Sequence, residues 1–121
     1  MSDPDSLDHA AIERLLRLGG NKFAIEMLDL FLNYVGEKVA AACQAGTQGN
    51  LDAVAKSVHP IKSSAGNVGA RRIQDLASRI EQLAQQQNAG AIQPLLIELQ
   101  RAFEHLRPCL EAEKTRLAAS A

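Results

Sequence analysis

Apolar residues recur at steps of three and four along most of the chain, the spacing that collects side chains on one face of an α-helix. The first such stretch covers about residues 7–18. It carries Leu7, Ala11, Ile12, Leu15 and Leu16, begins near Ser6 or Asp8, and is suited to end at Gly19-Gly20. Asn21 is placed to cap a second helix over 22–45, where Ala24, Leu28, Phe31, Val35 and Val39 form one apolar stripe and Phe23, Met27, Leu30 and Tyr34 a second. Together the two stripes span an arc of about 200° on a wheel of 100° per residue, wider than one bundle interface uses. The second stripe therefore needs a cover, either the first helix or a partner protein docked on what remains exposed.

Asn50 caps a third stretch over 51–69, in which Leu51, Val54, Val58, Ile61, Ala65 and Val68 share a face. Pro60 lies in its middle, where a proline removes a hydrogen bond, crowds the carbonyl of Lys56 and costs about 3 kcal/mol. A new helix could start at Pro60. The apolar positions keep phase across it, however, so one kinked helix is expected, with the Lys56 carbonyl freed nearby. A fourth stretch over 71–86 carries Ile73, Leu76, Ala77, Ile80, Leu83 and Ala84. After Asn88-Ala89-Gly90, a fifth over 91–118 carries Ile92, Leu95, Leu96, Leu99, Ala102, Phe103, Leu106 and Leu110. Pro94 is expected in the first turn of this last helix, and Pro108 is expected to kink it or start its final segment. The fold class this predicts is all-α: an antiparallel four-helix bundle with an additional short N-terminal helix across one end.

Composition narrows the function. A chain of 121 residues without repeats reads as a single domain over 1–121, and with no Trp and 3% aromatics its core must be aliphatic. Thirteen basic and fourteen acidic side chains give a net charge of −1, with no electrostatic footprint for nucleic acid. No apolar run is long enough to span a bilayer, and the polar start Met1-Ser-Asp-Pro-Asp is unlike a signal peptide. A cytoplasmic, monomeric protein without membrane contact is expected, and the start at Met1 leans toward a free-standing one. Cys43 and Cys109 lack metal-ligand or CxxC spacing and read as small core or boundary residues. His105 and Cys109 could touch one metal but no third ligand is identifiable, so no metal site is expected, and His9 reads as a solvated residue near a helix cap.

The chemistry concentrates at His59, which falls on the flank of the third apolar stripe. Ala55, Lys62, Ser63 and Gly66 share its helix edge, and the small ones leave the ring uncovered. Helical side chains lean toward the N-terminus, so Lys62 bends back over the turn that carries His59. An ammonium there stabilises an anionic group attached to, or approaching, a nucleophilic ring nitrogen, and a covalently bound phosphoryl group fits that requirement. Gly66 costs about 1 kcal/mol inside a helix and suggests close approach by another molecule. Ser63 and Ser64 have no base and orienter beside them, which makes a hydrolase a poor fit.

The run His59, Pro60, Ile61, Lys62, Ser63, Ser64, Ala65, Gly66, Asn67, Val68, Gly69 resembles the motif of histidine-containing phosphotransfer (HPt) domains, and the upstream Leu18-Gly19-Gly20 followed by the helix from Phe23 to Val39 extends the likeness over nearly the whole chain. Two departures stand out: Ser63 occupies a place usually held by glycine, and Pro60 follows the histidine. The resemblance implies a phosphorelay intermediate. His59, through Nε2, would take a phosphoryl group from a receiver-domain aspartate of a hybrid sensor kinase and pass it to a response-regulator aspartate. Lys62 would offset charge, and Ser63, Gly66 and Asn67 would face the receiver, with Ala70 and Arg71 weaker contacts and the Phe23, Met27, Leu30, Tyr34 stripe a docking surface. The receiver would supply Mg²⁺, because the chain has no ATP-binding loop or metal cluster and so no kinase activity of its own. Glu81 lies by spacing where some members have glutamine; if it faces the site it should bond the Nδ1 side of His59 or Lys62. The competing reading is a non-catalytic helical adaptor that binds or sequesters a receiver or kinase domain.

Overall fold

Asp8 sets the start of the first helix: its side chain accepts from the Ala10 amide at 3.1 Å, the geometry of an N-cap. The computed structural model describes residues 7–120; the alternative helix start at Ser6 and the polar Met1–Asp5 stretch lie outside the described residues. Four helices follow: α1 (His9–Thr47), α2 (Leu51–Val68), α3 (Arg71–Gln85) and α4 (Ala89–Ala119). Within α1 the path breaks at Gly20, whose φ of 79° and ψ of −171° are non-helical, so the short N-terminal helix and the first long helix meet without a loop. That backbone conformation is open to glycine and strained for residues with a Cβ. The expected all-α bundle with its extra N-terminal helix is the observed fold.

Short connections set the antiparallel order. Gly49 turns with φ 70°, and Asn50 then caps α2 by accepting from the Ala53 amide at 3.1 Å. Gly69 (φ 78°) ends α2 in the left-handed conformation, and Asn88 caps α4 by accepting from Ala91 at 3.3 Å. α2 packs against α1 and α3, and α4 packs against the same two helices. The core between them is aliphatic: Leu28, Val35, Val54, Val58, Ile61, Ile80, Ile92, Leu99 and Leu110 have no exposed surface, and Phe31 and Phe103 lie with ring centroids 6.2 Å apart. Among the described residues no polar or charged side chain is buried, and no helix is long and apolar enough to cross a membrane.

Two local expectations are corrected, and one of two alternatives at Pro108 is removed. Asn21 does not cap the long segment of α1 that follows Gly20: its amide donates to the Leu117 carbonyl at 2.8 Å and the Ser120 hydroxyl at 3.2 Å, tying the end of α4 to the Gly20 junction. The Asn88 cap starts α4 at Ala89, two residues earlier than the apolar spacing indicated, so Pro94 falls beyond the first turn. Pro108 starts no new segment, since α4 runs through it to Ala119.

Candidate functional site

α2 continues through Pro60 as one helix, and its buried face, Val54, Val58, Ile61, Ala65 and Val68, keeps phase on both sides of the proline. That phase turns the next residue edge outward, leaving the His59 side chain 69% exposed. α3 runs alongside α2 with Ile80 fully buried, which places Glu81 at the seam between the two helices with its side chain only 12% exposed. One Glu81 oxygen, Oε2, lies 2.6 Å from His59 Nδ1, and the other, Oε1, pairs with Lys62 Nζ. A shallow pocket lined by Ala55, Lys56, His59 and Glu81 opens beside the ring.

Burial at the seam pushes the Glu81 carboxyl up, but the hydrogen bonds from Lys62 and His59, together with their charges, outweigh it and hold the group below the usual carboxylate range. An ionised carboxylate can only accept, so Nδ1 carries the proton and donates to Oε2. In the neutral ring the remaining nitrogen, Nε2, then has a free lone pair. An exposed imidazole held by one nitrogen and open at the other is arranged for nucleophilic attack on a group presented from outside.

Lys62 is where the helix phase put it, 32% exposed beside His59, but it is not a lone ammonium: it is paired with Glu81. Ser63 and Asn67 are exposed on the same helix. Gly66 is half-buried, and a Cβ there would sit 2.7 Å from the amide nitrogen of Gln74 on α3, an exposed side chain whose end would have to shift to admit it. Ala70 is 3% exposed and cannot be a surface contact, whereas Arg71 is exposed and paired with Asp8 at 2.6 Å. The second stripe of α1 divides: Phe23 and Met27 pack partly against the core, while Leu30 and Tyr34 remain 60% and 42% exposed. An open groove of about 250 Å³ runs between that stripe and α2, lined by Met27, Leu30, Phe31, Tyr34, Ser64, Asn67 and Val68.

Cys43 is half-buried and Cys109 exposed, both free, and no group of three or more metal-ligating side chains occurs among the described residues. Gln74 is the neighbour that sequence reasoning missed, since a polar residue on a polar helix face carries no signal of what it covers. Glu81 was reachable only conditionally, from its spacing, and it makes both of the contacts considered for it.

The Hpt domain family model matches residues 26–117 of the chain. No curated protein matched the sequence. Among solved structures, the chain is similar to histidine-containing phosphotransfer protein B (HptB) from Pseudomonas aeruginosa PAO1, with a TM-score of 0.87 at 22% identity, covering 95% of this chain and 98% of that one. It is also similar to the HPT domain of the Hpt sensor hybrid histidine kinase from Shewanella, with a TM-score of 0.80 at 18% identity, covering 94% and 97% of the two chains. The structural likenesses establish the shared fold and the family match covers most of the sequence, so the chain belongs to the Hpt domain family, phosphorelay intermediates that work with receiver domains.

Proposed function

We propose that His59 is the phosphoacceptor, taking a phosphoryl group on Nε2 from a receiver-domain aspartate of a hybrid sensor kinase and passing it to the aspartate of a response regulator. The observation that carries this reading is the orientation of the ring: exposed, held at Nδ1 by Glu81, and open at Nε2. The phosphoryl donor must be a protein, because the chain offers no nucleotide-binding loop and no cluster of metal ligands among its described residues. The Mg²⁺ that assists transfer belongs to the receiver. Lys62 offsets charge on the transferring group, and Ser63, Gly66 and Asn67 face the receiver at the rim. The exposed part of the α1 stripe, Leu30 and Tyr34 with Met27 at its edge, flanks the same helix and provides the apolar part of the docking face. The protein works as a cytoplasmic monomer in this reading.

Incubation with a phosphorylated receiver domain tests it. Wild type should acquire an acid-labile, alkali-stable phosphate, and His59→Gln should acquire none while keeping its helical circular dichroism. Binding without labelling in wild type would overturn phosphotransfer and leave a receiver-binding adaptor.

A further inference from the structure

A receiver docked over His59 leaves one peculiarity of this chain, Pro60, without a role. We infer that Lys56 is a specificity-determining residue of the receiver interface: its carbonyl, left without a helical donor by Pro60, accepts a hydrogen bond from a partner N–H or O–H, and its ammonium pairs with a partner carboxylate. The inference rests on receiver docking at the His59 face and adds a residue one turn before the histidine, outside the motif that begins there.

α2 is unbroken from Leu51 to Val68 with Pro60 inside it. In an α-helix the carbonyl of residue 56 accepts from the amide of residue 60, and proline has no N–H to give. The Lys56 carbonyl is thus an acceptor without its helical donor, in the middle of a helix where such groups are ordinarily paired. It lies on the open side. Lys56, His59 and Ser63 are exposed and Pro60 is half-buried, while Val58 and Ile61 between them are fully buried and fix the rotation of the helix. Lys56 also lines the shallow pocket beside the His59 ring. A partner that reaches the ring therefore reaches this acceptor, and a hydrogen bond from it would offset part of what the proline costs the helix.

The side chain adds a charge at the same place. Lys62 is engaged with Glu81, whereas Lys56 pairs with no carboxylate among the described residues, although Asp52 stands one turn before it. Helical side chains lean toward the N-terminus, so the Lys56 stem slopes away from the ring three residues later. Its ammonium serves the partner's surface beyond the phosphoryl group rather than the group itself. The receiver that fits presents a hydrogen-bond donor over the turn from Lys56 to Pro60 and a carboxylate further toward the start of α2. One that lacks them leaves an acceptor and a cation of the interface without partners, and a mismatch of that kind discriminates between receivers whose reacting aspartates are chemically alike.

Calorimetric titration of the full chain with the receiver domain used for labelling tests this. Pro60→Ala restores the amide, so the variant should melt at a higher temperature than wild type and yet bind the receiver roughly fivefold more weakly, the worth of one hydrogen bond. Lys56→Gln keeps the carbonyl and should make Kd less dependent on salt. Nitrogen-15 NMR signals of the His59 ring should match wild type in both variants. Unchanged affinity in Pro60→Ala, or unchanged salt dependence in Lys56→Gln, overturns the inference. A weaker affinity that comes with displaced ring signals overturns it too, because the effect then belongs to the placement of His59. If wild type binds the receiver but takes no label, the phosphoacceptor assignment falls, and the two titrations still decide the role of Lys56.

Discussion

Glu81 accepts from His59 with one oxygen and from Lys62 with the other, so truncating either donor alters the surroundings of its neighbour. Lys62→Ala is expected to slow transfer from a phosphorylated receiver or shorten the lifetime of the phosphohistidine, measured as the decay of the acid-labile label. Unchanged kinetics would remove its charge-offsetting role. The fold should tolerate the change, because a partly exposed ion pair of this kind contributes no more than about 1 kcal/mol and thermal melting should move little. His59 and Lys62 were legible as a pair in the sequence because a step of three residues along a helix is a spatial contact by itself. Gly66 was legible as an anomaly but not as a cause: its neighbour Gln74 comes from the next helix, and nothing in the local run says which side chain lies over it.

At the scale of elements, glycines and prolines separate what periodicity predicts from what packing permits. Gly46 lies buried in α1 where the Leu96 methyl of α4 occupies the space of a Cβ, with the Gln93 amide donating to the Gly46 carbonyl at 2.8 Å. Gly46→Ala is expected to destabilise the bundle by about 1–3 kcal/mol, the usual result of overpacking, despite the better helix propensity of alanine. Gly90 in the first turn of α4 has open space around it, and Gly90→Ala should stabilise by about 0.5–1 kcal/mol. Paired thermal melts read both, and equal shifts of one sign would contradict the assignment of Gly46 to the α1–α4 contact. The existence and register of α2 through Pro60 followed from the phase of Val54, Val58, Ile61 and Ala65, since a buried stripe specifies one helix rotation. The role of Asn21 did not follow, because its partner is the carbonyl of Leu117, almost a full chain length away.

In the whole molecule two of the acidic contacts that join elements, Glu81 between α3 and α2 and Asp8 between the N-terminal helix and α3, make stability depend on pH. The Asp8 carboxyl is held low by the Ala10 amide and then by Arg71, and Glu81 is held low by Lys62 and His59 against the opposing effect of burial. Both are depressed relative to the unfolded chain, so the unfolded state takes up protons first as acid is added. Their contribution is present above the ordinary carboxylate range and is lost as pH falls through the lowered folded values. The double variant Asp8→Asn, Glu81→Gln should therefore melt with a weaker dependence on pH than wild type between about pH 5 and pH 2, and an unaltered profile would show that neither contact stabilises the fold. The sequence by itself determined the helices, the aliphatic core faces and the outward position of His59 beside Lys62, because these depend on spacing within one helix. Only the tertiary structure decided the rest: which part of the α1 stripe stays exposed, which side chain lies over Gly66, and that Lys62 shares a carboxylate with the histidine. Each of those depends on how one helix is rotated and shifted against another, and that is settled by packing between residues distant in the chain.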